Sequence, residues 1–96
     1  AVARRVAADN VTLNNVLPGM FHTAAVQDQF TATALRNGTS YEVEVDRFVE
    51  AFQIPARRFG EPRDVGTLVA WLCSEHASYI TGQSIVVDGG ATRSTF

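Results

Sequence analysis

The apolar positions of this chain change period along its length, and each change marks an element. At the start Val2 and Val6 stand four apart with Ala3 and Ala7 beside them, helical spacing among good helix formers. Arg4 and Arg5 lie toward the C-terminal end of this segment, where cations suit the helix dipole, and Asp9-Asn10 is a stop signal. The pattern predicts the last two turns of a helix over Ala1–Ala8. Val11–Leu17 then predicts a strand. Val11, Leu13 and Leu17 share one face, and Val16 lies on the other with Thr12 and Asn14. Apolar residues on both faces suit a parallel strand covered by helices on both sides. Asn14 and Asn15 are unusual there, and we expect them to tie neighbouring loops by hydrogen bonds. Pro18-Gly19 ends the strand, because proline cannot donate to a ladder and glycine has no Cβ to block a close approach.

Helical spacing returns at Thr23–Leu35, with Asn37-Gly38 as its C-cap. Ser40 can N-cap a second helix, Tyr41–Phe52, which aligns Val45, Phe48, Val49 and Phe52 on one face. The two short helices are expected to cover the Pro-Gly turn. Ile54–Pro62 is punctuation with little regular structure, and Pro62 suits the first position of the next helix. There Val65, Leu68, Val69, Leu72 and Cys73 occupy i, i+3, i+4, i+7 and i+8, the cleanest amphipathic stripe in the chain. Cys73 on this stripe reads as packing, and Trp71 falls off it, as a contact residue or tucked under a loop. His76–Thr81 reads as loop and Ser84–Asp88 as a second short strand ended by Gly89-Gly90. The tail Ala91–Phe96 is polar apart from Phe96.

Composition narrows the function classes. With 46% hydrophobic and 19% charged residues over 96 positions the chain is not disordered, and no apolar run is long enough to span a bilayer. Net charge is -2 with scattered basic residues, so neither nucleic acid nor membrane is expected as partner. A single cysteine permits no internal disulfide and fits a reducing compartment, hence a cytoplasmic location. Every basic residue is arginine; there is no lysine. The chain does not begin with Met, and its first residues read as the inside of a helix. The candidate ligand site is the stretch after Pro18-Gly19, at the carboxyl end of a strand, where open α/β sheets bind ligands.

The ordered set Asn14-Asn15-Val16-Leu17-Pro18-Gly19, Thr23, Ile54-Pro55, Arg58-Phe59-Gly60-Glu61-Pro62, Val65, Tyr79-Ile80-Thr81-Gly82-Gln83 and Val87-Asp88-Gly89-Gly90 resembles the C-terminal part of the short-chain dehydrogenases/reductases, in particular the 3-oxoacyl-acyl-carrier-protein-reductase-like classical type. The match runs in order through nearly the whole chain. The resemblance implies an α/β fold, the C-terminal part of a doubly wound parallel-sheet Rossmann-like domain. It would contribute the last two strands, two substrate-cover helices and one crossover helix. It implies NAD or NADP as cofactor. Carried over by position, Phe21 offers main-chain N–H and C=O to the nicotinamide carboxamide and Thr23 its hydroxyl, with Pro18 and Gly19 against the ring. Met20 and His22 fall near the substrate mouth. An amide ligand needs a donor and an acceptor side by side, and main chain exposed after a turn supplies both.

The departures carry as much weight. The family's glycine-rich dinucleotide fingerprint is absent, since Gly19, Gly38, Gly60, Gly66, Gly82, Gly89 and Gly90 include no GxG spacing. Its chemistry needs a tyrosine with a lysine four residues on, so that the cation lowers the phenol pKa. Four residues beyond Tyr41 and Tyr79 stand Val45 and Gln83, so no residue inherits either role. The expectation is a C-terminal segment, residues 1–96, of a single NAD(P)-binding domain whose N-terminal half is absent. Alone it is expected to be poorly folded and inactive; intact, it would reduce a carbonyl or oxidise an alcohol, with acyl-thioester ketone reduction as the default activity. The competing expectation is a non-catalytic interaction fragment, acting through a homo-oligomer face formed by the Pro62–Cys73 helix and the Ile85–Val87 strand.

Overall fold

The computed structural model describes residues 2–92. Helix α1 (Val2–Val6) tightens into a 3-10 turn, Ala7–Asp9, and Asn10 closes it in the left-handed region at φ 60°. Strand β1 (Asn15–Pro18) pairs in parallel with β2 (Ser84–Val87), in the register Asn15↔Ser84 to Pro18↔Val87.

The predicted strand over Val11–Leu17 therefore begins four residues late. Before Asn15 the chain bonds to a loop rather than to a ladder. Leu13 N–H donates to Thr81 Oγ1 (3.1 Å), and its carbonyl accepts from Gly82 N–H (2.7 Å). Asn14 fills the expected tying role: Nδ2 donates to the Ile80 carbonyl and Oδ1 accepts from Gln83 N–H, both at 3.1 Å.

Helices α2 (Ala24–Asn37) and α3 (Tyr41–Ala51) form a hairpin whose ends were written in the caps. Thr23 Oγ1 accepts from Val26 N–H (3.3 Å), Ser40 Oγ from Val43 N–H (3.2 Å), and Gly38 at φ 67° closes α2. Each such N-cap contributes about 1 kcal/mol. The core lies under this hairpin: Phe30, Val45, Val49, Ile54 and Phe59 are buried. Phe59 is its centre at 1% exposure, with Phe30 and Phe48 edge-on to it, both at 5.5 Å. Such pairs add about 0.5–1.5 kcal/mol beyond the area they bury. Phe52, expected on the buried face, stacks on Phe48 at 4.2 Å but stays 65% exposed at the end of α3.

Helix α4 (Pro62–Leu72) starts with Pro62 at its first position, and the Asp64 carboxylate accepts from Glu61 N–H (2.8 Å). Its stripe behaves differently from expectation. No residue of α4 is buried, Val69 is 41% exposed, and Cys73 is exposed rather than packed. Periodicity reports that a face wants a partner, and within these residues the partner surface is small.

The same shortfall appears globally. The radius of gyration is 17.2 Å, where a compact chain of this length has about 12.5 Å. The accessible surface is 7318 Å², against about 5,400 Å² for a folded monomer of this mass. Leu17 and Val86, each 46% exposed, show where apolar sheet surface lies open, and Leu13 before β1 is as exposed. Among the described residues no helix is long and apolar enough to cross a membrane.

Candidate functional site

The Pro-Gly turn sits where the two strand ends meet. Pro18 pairs with Val87, and Gly19 N–H donates to the Val87 carbonyl (2.9 Å). A Cβ on Gly19 would lie 2.7 Å from Asp88 Cβ, so only glycine lets the two turns close on each other. The Asp88 carboxylate accepts from Gly90 N–H (2.9 Å) and Thr92 N–H (2.7 Å). The Thr92 side chain first, and then these backbone N–H groups, hold its pKa below the usual carboxylate range.

Past the turn, Phe21 and Gly60 form a one-residue parallel bridge. Gly60 N–H donates to the Met20 carbonyl (2.9 Å), and His22 N–H donates to the Gly60 carbonyl (3.0 Å). Both peptides flanking Phe21 are thus pinned to Gly60. In a parallel bridge that arrangement turns the N–H and C=O of Phe21 itself the other way. The Phe21 N–H has no acceptor among the described residues, and its carbonyl accepts only the Thr23 N–H (2.8 Å), leaving a lone pair. A donor and an acceptor from one residue thus stand side by side. The Phe21 side chain, 6% exposed, fills the space over Gly60.

Thr23 has two capacities at once. Its Oγ1 accepts at the head of α2, and its O–H hydrogen stays free to donate. Met20 lines a cavity of about 580 Å³ together with Pro18, Gly19, Phe48, Phe52 and Asp88. Phe30 lies in the buried core, and Leu35 is 80% exposed. His22 points elsewhere. Its Nδ1 lies 2.7 Å from the Tyr41 hydroxyl, and its ring is tilted against Phe59 at 5.4 Å. The Tyr41 pKa is raised, by burial first and then by Glu42 and Glu61, so the phenol keeps its proton.

The structure therefore brings Pro18, Gly19, Met20 and Phe21 to one cavity wall, with Thr23 at the adjoining helix start and His22 turned toward α3. Sequence reasoning assigned no role to Gly60 or Tyr41. Gly60 lay within the Arg58–Pro62 motif; nothing in the sequence linked Tyr41 to His22. Among the described residues no three His, Cys, Asp or Glu side chains are grouped to hold a metal ion.

A parallel β-pair with helical cover and a Pro-Gly turn at the strand ends belongs to the doubly wound Rossmann-like architecture of short-chain dehydrogenases/reductases. The sequence model described as enoyl-(acyl carrier protein) reductase matches residues 1–92, and the chain belongs to that family. It is 40% identical over 90 residues to a tropinone reductase homologue of Arabidopsis thaliana, covering 94% of this chain and 30% of that protein. It is 40% identical over 88 residues to the 3-oxoacyl-[acyl-carrier-protein] reductase FabG of Staphylococcus epidermidis, covering 92% of this chain and 31% of that protein. Among solved structures, the L-sorbose reductase of Gluconobacter frateurii, complexed with NADPH and L-sorbose, superposes with a TM-score of 0.88 at 26% identity. That match covers 98% of this chain and 35% of the reductase. YwfH, an NADPH-dependent reductase involved in bacilysin biosynthesis, matches with a TM-score of 0.78 at 32% identity, over 98% of this chain and 35% of YwfH. The chain thus spans about a third of the length of these relatives.

Proposed function

We propose that residues 1–96 are the C-terminal segment of an NAD(P)-dependent oxidoreductase that reduces a carbonyl or oxidises an alcohol, and that their part is to position the nicotinamide and shape the substrate pocket. The observation that supports this reading is the N–H and C=O of Phe21, turned away from Gly60 by the bonds Gly60 makes to the Met20 carbonyl and the His22 N–H. A carboxamide carries one acceptor and one donor group, and this pair complements it. Thr23 adds a hydroxyl donor, and the rigid Pro18 ring and the bare backbone of Gly19 provide a wall with no flexible side chain in the way. Met20, Phe48 and Phe52 make the neighbouring cavity apolar, which suits water exclusion. When bound, the nicotinamide supplies or accepts the hydride.

Proton transfer at the substrate oxygen is assigned to a tyrosine–lysine pair outside residues 1–96. Tyr41 does not fill that role, because its pKa is raised where the chemistry needs it lowered. NADH and NADPH titrations of the whole protein that contains this segment, followed by a carbonyl panel, test the reading. Saturable binding of either dinucleotide is expected, and no binding of either overturns it.

A second reading, assembly, is favoured by a separate observation. Trp71 of α4, on the side opposite the Val65–Cys73 stripe, and Val86 of β2 are each 46% exposed, apolar side chains open to a homo-oligomer partner. Sedimentation of the whole protein and of its Trp71→Asp variant tests it; unchanged mass argues against this face.

A further inference from the structure

His22 is bonded on more sides than its place in a loop requires. Its N–H donates to Gly60 (3.0 Å), and its carbonyl accepts from Gln27 Nε2 of α2 (3.1 Å). Its Nδ1 meets the hydroxyl of Tyr41, the first residue of α3, at 2.7 Å, and its ring leans on Phe59, which is almost fully buried. Tyr41 is anchored in turn, its ring edge-on to Phe30 at 6.4 Å. The peptide joining Phe21 to His22 carries the Phe21 carbonyl. Whatever fixes His22 therefore fixes the direction of that acceptor.

We propose that His22 is a positioning residue: its imidazole, accepting a hydrogen bond from Tyr41, couples the Phe21 main chain to the first turn of α3, so that nicotinamide shelf and substrate cover hold one relative geometry. This rests on the nicotinamide reading above. The 2.7 Å contact needs one donor; with the Tyr41 hydroxyl supplying it, Nδ1 accepts and the ring proton sits on Nε2, the tautomer the proposal requires. Nε2 has no partner among the described residues. Asparagine places an acceptor close to the Nδ1 position and should substitute in part, whereas alanine should not.

The test uses the whole protein that contains this segment. Tyr41→Phe removes one oxygen and no ring. It should weaken NAD(P)H binding and raise substrate KM about three- to tenfold, the range of one neutral hydrogen bond, at a temperature well below the melt. His22→Ala should do the same and His22→Asn should recover most of the loss. Nitrogen-15 spectra of the imidazole should show an unprotonated Nδ1 in the wild type and a mixture of tautomers in Tyr41→Phe. A purely structural contact would lower the melting temperature and leave cofactor affinity unchanged, and that result overturns the coupling. So does a protonated Nδ1 in the neutral wild-type ring. If Tyr41→Phe fails to fold, the contrast between His22→Ala and His22→Asn decides, and equal affinities overturn the proposal. A wild type that binds neither dinucleotide overturns the shelf reading and the coupling together. One that binds and is indifferent to these substitutions overturns the coupling alone.

Discussion

Phe21 and Gly60 meet in a single parallel bridge, and the Phe21 ring occupies the volume that a side chain at position 60 would need. The contact does two jobs. The two hydrogen bonds aim the Phe21 main chain, and the buried ring ties the post-turn loop to the segment leading into α4.

Gly60→Ala sets these demands against each other. The new Cβ would fall 2.6 Å from Phe21 Cδ2 and closer still to Cε2, and the ring is 6% exposed with little room to retreat. Overpacking of this kind costs about 1–3 kcal/mol. Urea denaturation of the whole protein should show that loss, with weaker cofactor binding beside it. The double variant Gly60→Ala, Phe21→Leu should recover part of the stability, because the smaller side chain frees the space. Additive losses in the cycle would show that the two residues do not compete.

Thr23 separates a cap from a ligand contact. Its side chain accepts from Val26 N–H, so Thr23→Ala should cost about 1 kcal/mol of stability as well as cofactor affinity. Thr23→Ser should retain both. Thr23→Asp keeps an acceptor for the cap but has no hydroxyl to donate, so it should retain the melting temperature and lose affinity. If Thr23→Asp binds cofactor as tightly as wild type, the hydroxyl is a cap only.

Among the described residues Glu44 is the one buried residue that is polar, at 7% exposure. Its carboxylate accepts from Thr39 Oγ1, from Asn37 Nδ2 (3.2 Å) and from Arg47 Nη1 (3.3 Å). Arg47 is 61% exposed, so that ion pair contributes at most about 1 kcal/mol. Glu44→Ala also removes the bonds from Thr39 and Asn37, each contributing about 0.5–1.5 kcal/mol. Arg47→Ala should therefore cost less than Glu44→Ala by chemical denaturation. The reverse order would place the energy in the ion pair.

Acid should weaken the fold through two turns. Asp64 is held below the usual carboxylate range by the Glu61 backbone N–H first and by Arg58 after it, and Asp88 by Thr92 and its neighbours. A depressed folded pKa contributes stability that is present above the unfolded value, near about 3.9, and is lost as pH falls through the folded pKa. The urea midpoint should therefore hold from pH 7 toward 5 and drop below about 4. Asp64→Asn and Asp88→Asn should each flatten that acid limb, and an unaltered limb in both would exclude these groups as its source.

What could be read from the sequence follows from the range of the interactions. Thr23, Gly38, Ser40 and Pro62 act within one turn of chain, so the bounds of α2, α3 and α4 were legible to within two residues. The parallel pair was legible from apolar residues on both faces of Val11–Leu17, although its start was not, because Leu13 and Asn14 bond to a loop at Ile80–Gln83. The Phe21–Gly60 bridge, the His22–Tyr41 contact and the burial of Phe59 join segments separated in sequence, with no periodicity to betray them. The stripe on α4 was legible as apolar, but Cys73 on it is exposed rather than packed, since periodicity does not say where the partner is.

That distinction bears on how the 96 residues behave alone. Leu13, Leu17, Val69 and Val86 are each more than 40% exposed, and among the described residues the sheet has two strands. A two-stranded pair is rarely stable unaided, and its free edges invite pairing with other chains. The aromatic core beneath α2 and α3 is better closed, with Phe30, Phe59 and Val49 all under 9% exposed. The two regions should separate on unfolding. Hydrogen exchange on the purified 96-residue chain should show protection confined to α2 and α3 and fast exchange over β1 and β2, with a broad thermal transition by circular dichroism. Embedded in the whole protein, β1 and β2 should become as protected as the helices. One sharp transition, with equal protection in strands and helices of a monomeric 96-residue chain, would show that the exposed apolar surface needs no cover.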